Sequence, residues 1–134
     1  MIIIKSRREI DLMREAAKVT GEILRDLEGY VRPGLSTADV DRFVEDRINH
    51  YNMRATFKGY GGFPAAACVS VNEEIVHGIP SKDRILVEGD IVSVDTGATY
   101  KGYCSDAART YPVGQISAEA QKLIDVTKDS FFED

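Results

Sequence analysis

The chain has 134 residues, of which 43% are hydrophobic and 29% are charged, so it can form one compact domain spanning residues 1–134. Its formal net charge of −5 argues against a nucleic-acid surface, and no cluster of lysine and arginine contradicts this. No apolar run reaches the length of a signal or membrane segment, and two cysteines do not make a disulfide framework, so the cytoplasm is the predicted compartment.

Two amphipathic helices are predicted in the first part of the chain. Ser6 with Glu9, and Ser36 with Asp39, have the capping-box spacing that begins a helix. A Pro-Gly pair at 33–34 separates the two helices. In the first helix, apolar positions recur at steps of three and four, which gives the stripe Ile10, Met13, Ala17, Thr20, Leu24, Leu27 and Val31.

The apolar pattern then changes to an alternating one, which predicts strands. A glycine-rich loop is predicted at 56–65. The predicted strands are 66–72, a short one at 75–79, 91–98 and 104–113. Ser117 begins a last helix with Leu123 and Phe131 on one face. Helices followed by strands and a further helix predict an α+β fold, with an antiparallel β-sheet backed by two long helices plus a C-terminal helix.

Asp95 and Asp106 are the most informative residues, because each lies in a predicted strand, where a buried charge is costly. A Lys101-Gly102 turn lets the two strands fold back as a hairpin. If the register pairs the aspartates directly, both carboxylates lie on one face, whereas a shift of one residue separates them. Adjacent carboxylates repel unless a proton or a cation lies between them, and their oxygens suit divalent metals. The alternative interpretation is two solvated aspartates on the polar side of a half-exposed sheet.

His77 adds a second kind of chemistry near these carboxylates. It follows the 66–72 strand and precedes a Gly-Ile-Pro turn at 78–80, which can present it at the edge of the sheet. A lone histidine is more often structural than catalytic, and His50, at a helix end, is interpreted as structural. Two carboxylates with His77 indicate metal-assisted hydrolysis, in which metal ions acidify a water and polarise a carbonyl while the histidine stabilises the developing charge.

Three ordered motifs extend these single residues. They read NEEIVHGIP at 72–80, EGDIVSVDTG at 88–97 and GYCSDAART at 102–110. Together they resemble type I methionine aminopeptidase, a metallohydrolase with the pita-bread fold. The aspartate motif alone would also fit prolidase-like relatives, whereas the His-Gly-Ile-Pro segment favours methionine aminopeptidase. The resemblance implies removal of N-terminal methionine from peptides or nascent chains, with up to two divalent ions of cobalt, manganese, iron or zinc.

The resemblance also implies a role for individual residues. Asp95 resembles a carboxylate that binds one metal, and Asp106 resembles the one that bridges both. His77 resembles the histidine that hydrogen-bonds the substrate near the scissile amide, which makes it the catalytic candidate. The implied substrate-binding residues are Tyr60, Phe63, Cys68 and His77, since aromatic and sulfur surfaces suit a methionine thioether. Without the resemblance, Phe63 and Cys68 are interpreted as core residues.

The resemblance covers only the first half of family members, whose fold consists of two similar halves with the metals between them. The histidine and two glutamates that complete the family's metal shell have no counterpart here, and two aspartates cannot saturate two ions. We therefore expect impaired activity unless a homodimer, formed through the sheet face carrying Asp95 and Asp106, or a separate second half completes the site. The alternatives are a non-catalytic module that binds peptides or proteins, and an isolated folding unit.

Overall fold

The computed structural model describes residues 2–133. Its elements are α1 (Arg7–Tyr30), α2 (Thr37–His50), β1 (Arg54–Ala55), β2 (Ala67–Val71), β3 (Ile91–Thr96), β4 (Ala98–Tyr100), β5 (Tyr103–Cys104), β6 (Ala107–Pro112) and α3 (Ala118–Phe132). A short 3-10 turn, Tyr60–Gly62, lies between β1 and β2. This order of helices, antiparallel strands and a final helix confirms the predicted α+β fold.

The strands of the described residues form two three-stranded antiparallel sheets, in the orders β1-β4-β5 and β2-β3-β6. Both sheets share one long hairpin, whose first arm is β3 and β4 and whose second arm is β5 and β6. Its turn has positive φ at both central residues, 48° at Lys101 and 87° at Gly102. Two left-handed residues in succession match the twist of the flanking strands, so the predicted hairpin turn is confirmed.

Gly97 interrupts the first arm between β3 and β4, and the second arm is interrupted across from it, so neither long strand is continuous. A Cβ atom at Gly97 would lie 2.2 Å from the carbonyl oxygen of Ser105 and 3.3 Å from the Cβ atom of Thr56. Only a residue without a side chain allows the two arms to approach this closely. The break divides the hairpin between the two sheets.

The core lies between α1, α2 and one face of the sheets. The buried residues of α1 are Ala16, Val19, Thr20, Ile23, Leu24 and Leu27. The predicted stripe is therefore right at Thr20, Leu24 and Leu27. It is wrong at Ile10, Met13 and Ala17, which are exposed. The helical repeat puts both Ala16 and Ala17 one turn before Thr20, and contact with the sheet selects Ala16.

Both predicted capping boxes form. The hydroxyl of Ser6 accepts the backbone N–H of Glu9, and the carboxylate of Glu9 accepts the N–H of Ser6. Ser36 and Asp39 make the same reciprocal pair at the start of α2. Each box satisfies N–H groups that the first turn of a helix leaves without partners, so the sequence signal and the structure agree.

The short strand predicted at 75–79 is wrong, because this segment is a loop that lies against β2. The N–H of Val69 donates to the carbonyl of Gly78 at 2.9 Å, and the N–H of Gly78 donates to the hydroxyl of Ser70 at 3.1 Å. A Cβ atom at Gly78 would lie 2.2 Å from the carbonyl oxygen of Val69. The loop lies as close to β2 as a neighbouring strand would. However, the N–H of Gly78 bonds to a side-chain hydroxyl instead of a backbone carbonyl, so no regular ladder of backbone hydrogen bonds forms.

The predicted C-terminal helix forms as α3 and begins at Ser117, whose hydroxyl accepts the N–H of Ala120. None of its side chains is buried, and Leu123 and Phe131 are 59% and 81% exposed. Within the described residues, α3 therefore adds nothing to the core. No helix in this range, α3 included, is long and apolar enough to cross a membrane.

Candidate metal centre

β3 separates two chemically different faces of the sheet. Val92 and Val94 are fully buried on the side of the helices. Ser93 and Asp95 point to the other side and are half-buried. Asp95 lies directly opposite Cys68 of β2, and residues opposite each other in neighbouring strands share a face. The carboxylate of Asp95 is therefore held on the face that the helices do not cover.

Asp106 lies on the same face as Asp95. The residue directly opposite Asp95 is Ala108 of β6, so Asp106 is a diagonal neighbour and the direct pairing considered from the sequence is not formed. A displacement of two residues preserves the face, because side chains alternate with a period of two. The two carboxylates remain close enough for a hydrogen bond between their side chains.

This proximity changes the acidity of Asp95. Partial burial, then the hydrogen bond to Asp106 and the negative charge of Asp106, raise the pKa of Asp95 to about 6, while the charge of His77 opposes the rise. Asp95 therefore keeps its proton at a pH where an isolated aspartic acid side chain has lost it. One oxygen, Asp95 Oδ1, is buried and has no hydrogen-bond partner among residues 2–133. A buried acceptor without a donor is a position where a cation fits.

Arginine does not neutralise the pair. Among the ion pairs of residues 2–133, none involves Asp95 or Asp106. Arg109, close to Asp106 in sequence, pairs with Glu28 of α1 at 3.1 Å, and its guanidinium lies 5.4 Å from the centre of the Tyr111 ring. Strand alternation explains this, since Arg109 points to the opposite face from Ala108.

His77 lies on the loop after β2, close enough for its charge to lower the pKa of Asp95. Its side chain is exposed and its φ is +60°, a left-handed conformation that is strained for a residue other than glycine. Gly78, the residue that follows His77, is hydrogen-bonded to β2, and these bonds hold this part of the loop in place. The loop therefore presents His77 beside the carboxylates instead of packing it into the core.

The implied substrate-binding residues are divided between two places. Cys68 is 6% exposed beside Asp95, and burial, then the charges of Asp95 and Asp106, raise the pKa of its thiol to about 11. The thiol stays neutral at physiological pH and acts as a small apolar surface. Phe63 is half-buried, and Tyr60 is 82% exposed on the 3-10 turn. Cys68 is thus brought to the carboxylates, while Tyr60 remains on the surface of its loop.

The pair is an incomplete ligand set. Within residues 2–133, no group of three or more histidine, cysteine, aspartate or glutamate side chains comes together in a metal-binding arrangement. Two carboxylates supply hard oxygen ligands, which fit a divalent ion, but they leave most of its coordination positions to other ligands.

The sequence pattern does not reveal two residues that support this site. Asp41 of α2 accepts the N–H groups of Ala66 and Ala67, both at 2.9 Å, and so anchors the start of β2. Thr20, which the sequence pattern assigns to the apolar stripe of α1, lies 2.7 Å from the hydroxyl of Ser105. The sequence signal that could have identified them is a polar side chain at a helix position that faces the core. Apolar periodicity does not distinguish such a residue from a mismatch in the pattern.

A family model described as metallopeptidase family M24 matches residues 11–132. The chain belongs to this family. Among curated relatives, it is 61% identical to the methionine aminopeptidase of Clostridium acetobutylicum over 98% of this chain and 53% of the relative. It is 46% identical to methionine aminopeptidase 1 of Bacillus subtilis, with the same coverage of both chains. This M24 chain spans about half the length of the curated relatives it matches.

Solved structures agree with these matches. The methionine aminopeptidase of Thermotoga maritima superposes with a TM-score of 0.93 at 44% identity, over 96% of this chain and 52% of that chain. A prolidase from Pyrococcus furiosus superposes with a TM-score of 0.80 at 21% identity, over 95% of this chain and 36% of that chain, which shows a shared fold alone. The predicted resemblance to half of a type I methionine aminopeptidase, including its pita-bread fold, is confirmed.

Proposed function

We propose that this M24 chain carries half of the metal centre of a methionine aminopeptidase, with Asp95 and Asp106 as metal ligands. The observation that carries this proposal is the buried, unpartnered Oδ1 atom of Asp95 beside the carboxylate of Asp106. Carboxylate oxygens accept cobalt, manganese, iron or zinc, and a complete site would hold up to two such ions. The substrate is a peptide or nascent chain with an N-terminal methionine, as the names of the relatives suggest.

Each site residue has a distinct task in this proposal. A bound divalent ion supplies Lewis acidity toward the scissile carbonyl and an acidified water. Asp95 and Asp106 would hold the divalent ion through their carboxylate oxygens, and Asp95 would have to lose the proton that its raised pKa retains. His77 donates a hydrogen bond to the substrate near the scissile amide, where negative charge develops. Cys68, Phe63 and Tyr60 contribute apolar surface for the methionine side chain.

A second copy of the chain is the proposed partner, meeting the first through the face of β3 and β6 that carries Asp95 and Asp106. Support comes from the small or polar side chains of this face, which no helix of residues 2–133 covers, whereas the opposite face is closed by α1 and α2. A twofold pairing would bring four carboxylates together. We expect the isolated monomer to bind metal weakly and to hydrolyse peptides poorly. Sedimentation that shows only monomer at tens of micromolar would contradict the dimer.

The cytoplasm remains the proposed compartment. Cys68 and Cys104 are both free thiols. Free thiols, one of them exposed at Cys104, suit a reducing compartment.

Metal titration followed by a methionyl-peptide assay tests the proposal. We expect saturable binding of Co²⁺ or Mn²⁺, together with methionine release that Asp106→Asn abolishes. Asp46→Asn, on the exposed side of α2, is the matched control and should leave both measurements unchanged. Equal metal binding by the Asp106→Asn chain and the unchanged chain would refute the assigned ligands.

A non-catalytic module that binds peptides or proteins is the second candidate. It is favoured by one observation, namely that no third metal ligand joins the aspartate pair within residues 2–133. Saturable peptide binding that is indifferent to a chelator would favour this module over the enzyme.

A further inference from the structure

Ser105, the residue before Asp106, is the centre of a hydrogen-bond cluster that reaches α1. Its hydroxyl oxygen lies 2.7 Å from the hydroxyl of Thr20, 3.1 Å from the backbone nitrogen of Ala98 and 3.2 Å from the carbonyl oxygen of Ala98. Its own N–H donates to the same carbonyl at 2.9 Å. The cluster therefore ties one arm of the hairpin to the other and to a helix 85 positions earlier in the chain.

The proton balance of this cluster gives Thr20 a defined role. A serine hydroxyl has one proton to donate and two lone pairs that accept. Ser105 can donate to the Ala98 carbonyl and accept the Ala98 N–H, which leaves one lone pair for the proton of Thr20. The alternative acceptor for that proton, the carbonyl of Ala16, lies farther away at 3.3 Å. Donation from Thr20 thus completes the hydrogen bonds of Ser105 through the shortest contact.

Apart from the contact of its carboxylate with Asp95, Asp106 depends on this cluster for its position. Its residue is exposed, so burial does not restrict its side chain. Its place opposite Gly97 is where the ladder between the two arms is interrupted, so regular strand pairing does not hold its backbone either. On the other side of Ser105, the hydroxyl of Tyr103 donates to Glu9 of α1 at 2.9 Å. The segment that leads into Asp106 is therefore held to α1 at two points.

We propose that Thr20 is a positioning residue for Asp106 and acts through the hydroxyl of Ser105. The functional meaning of this inference rests on the proposed role of Asp106 as a metal ligand. Thr20 is 1% exposed and does not itself reach the face that carries the carboxylates. Its effect is to fix the backbone at Ser105, so that the carboxylate of Asp106 keeps one direction toward Asp95.

Three variants of the full chain test the inference. Thr20→Val keeps the shape of the side chain and removes the hydroxyl, and Thr20→Ser restores a hydroxyl. Thr37→Val is the matched control, because Thr37, at the start of α2, is also 1% exposed and its hydroxyl bonds to the backbone of Ser81 instead of to the hairpin. The first readout uses the metal-free chain, in which three-bond NMR couplings to the carboxyl carbon of Asp106 report its χ1 rotamer. The second is the Co²⁺ dissociation constant from calorimetry.

The expected results separate positioning from a general loss of stability. Thr20→Val should average the Asp106 couplings over several rotamers and raise the Co²⁺ dissociation constant about five- to tenfold, as expected when one hydrogen bond is lost. Thr20→Ser and Thr37→Val should keep one set of couplings and an affinity within about twofold of the unchanged chain. Equal couplings in Thr20→Val and Thr37→Val would overturn the inference.

The NMR couplings and the Co²⁺ dissociation constant distinguish failure of the positioning role from failure of the proposed metal ligand. If Asp106→Asn leaves Co²⁺ binding unchanged, the proposed metal ligand is wrong, and the couplings in the metal-free chain still decide whether Thr20 positions Asp106. If Asp106→Asn abolishes binding while Thr20→Val does not weaken it, the metal ligand stands and the positioning role is wrong.

Discussion

The two faces of the central hairpin differ in what closes them. On one face, Val92, Val94, Tyr111 and Val113 are buried against α1 and α2, and they belong to a continuous hydrophobic core. On the other face, Asp95 is half-buried and Asp106 is exposed, and one oxygen of Asp95 has no hydrogen-bond partner in the described part of the chain. The chain therefore buries one face by its own packing. On the other face, two adjacent carboxylates repel each other unless a proton, a cation or a partner compensates their charge.

The largest expected effect comes from opening the closed face. Leu27→Ala removes a fully buried side chain of α1 and should lower the free energy of unfolding by about 3 kcal/mol, because a cavity remains in the core. Leu123→Ala on exposed α3 is the control and should change it by less than about 0.5 kcal/mol. Urea denaturation measures both, and similar losses would mean that the core is not where the structure places it.

The next effect concerns the break that divides the hairpin. Gly97→Ala would place a Cβ atom 2.2 Å from the carbonyl oxygen of Ser105, and the required shift of backbone should lower the free energy of unfolding by about 2 kcal/mol. Gly21→Ala in α1 meets nothing within 4 Å and should stabilise the chain by about 0.5–1 kcal/mol. Two changes of the same sign would contradict this account of the break.

The stability of the chain is expected to depend on pH through Asp95 on the open face. Because the pKa of Asp95 is raised from 3.8 to about 6, the folded chain holds more protons than the unfolded chain between these values, and stability falls as pH rises through this window. Asp95→Asn should remove this slope and stabilise the chain above pH 7 by about 1 kcal/mol, after allowance for solvent screening. Denaturation at pH 4 and pH 8 checks it. The prediction is wrong if the Asp95→Asn variant has a lower free energy of unfolding than the unchanged chain at pH 8.

The smallest effect is expected on the open face itself. The hydroxyls of Ser93 and Thr110 lie 2.7 Å apart beside the carboxylates. Ser93→Ala should lower the free energy of unfolding by only about 0.5–1 kcal/mol, since solvent can replace the lost hydrogen bond. Thermal unfolding monitored by circular dichroism is sufficient. A loss comparable to that of Leu27→Ala would show that this face is packed as tightly as the other.

Local sequence signals predicted the parts of the fold that depend on neighbouring residues. The capping boxes at Ser6 and Ser36 form as predicted, because each hydrogen bond spans only three residues. The Lys101-Gly102 turn also forms, since its two left-handed residues specify the hairpin locally. The placement of Asp95 and Asp106 on one face follows from strand alternation and the turn, even though direct pairing does not occur.

Distant contacts account for what the sequence pattern missed. The apolar residues at 75–79 look like a strand, yet the close approach of Gly78 to β2 and the hydroxyl of Ser70 hold this segment as a loop. The interruption at Gly97 likewise depends on Ser105, which only the folded hairpin brings near. Neither contact can be read from the apolar periodicity of the sequence, because this periodicity indicates which residues are buried and not which residues they contact.

From the sequence alone came the α+β order, the two helix starts, the hairpin and an acidic pair with a nearby histidine, since each rests on spacing within a short segment. Only the tertiary structure decided that Thr20 contacts Ser105, that Arg109 pairs with Glu28 instead of an aspartate, and that α3 buries no side chain. The physical reason is that these features join residues far apart in the chain, and the balance between burial and unsatisfied polar groups selects such pairs only after the sheets and helices have packed.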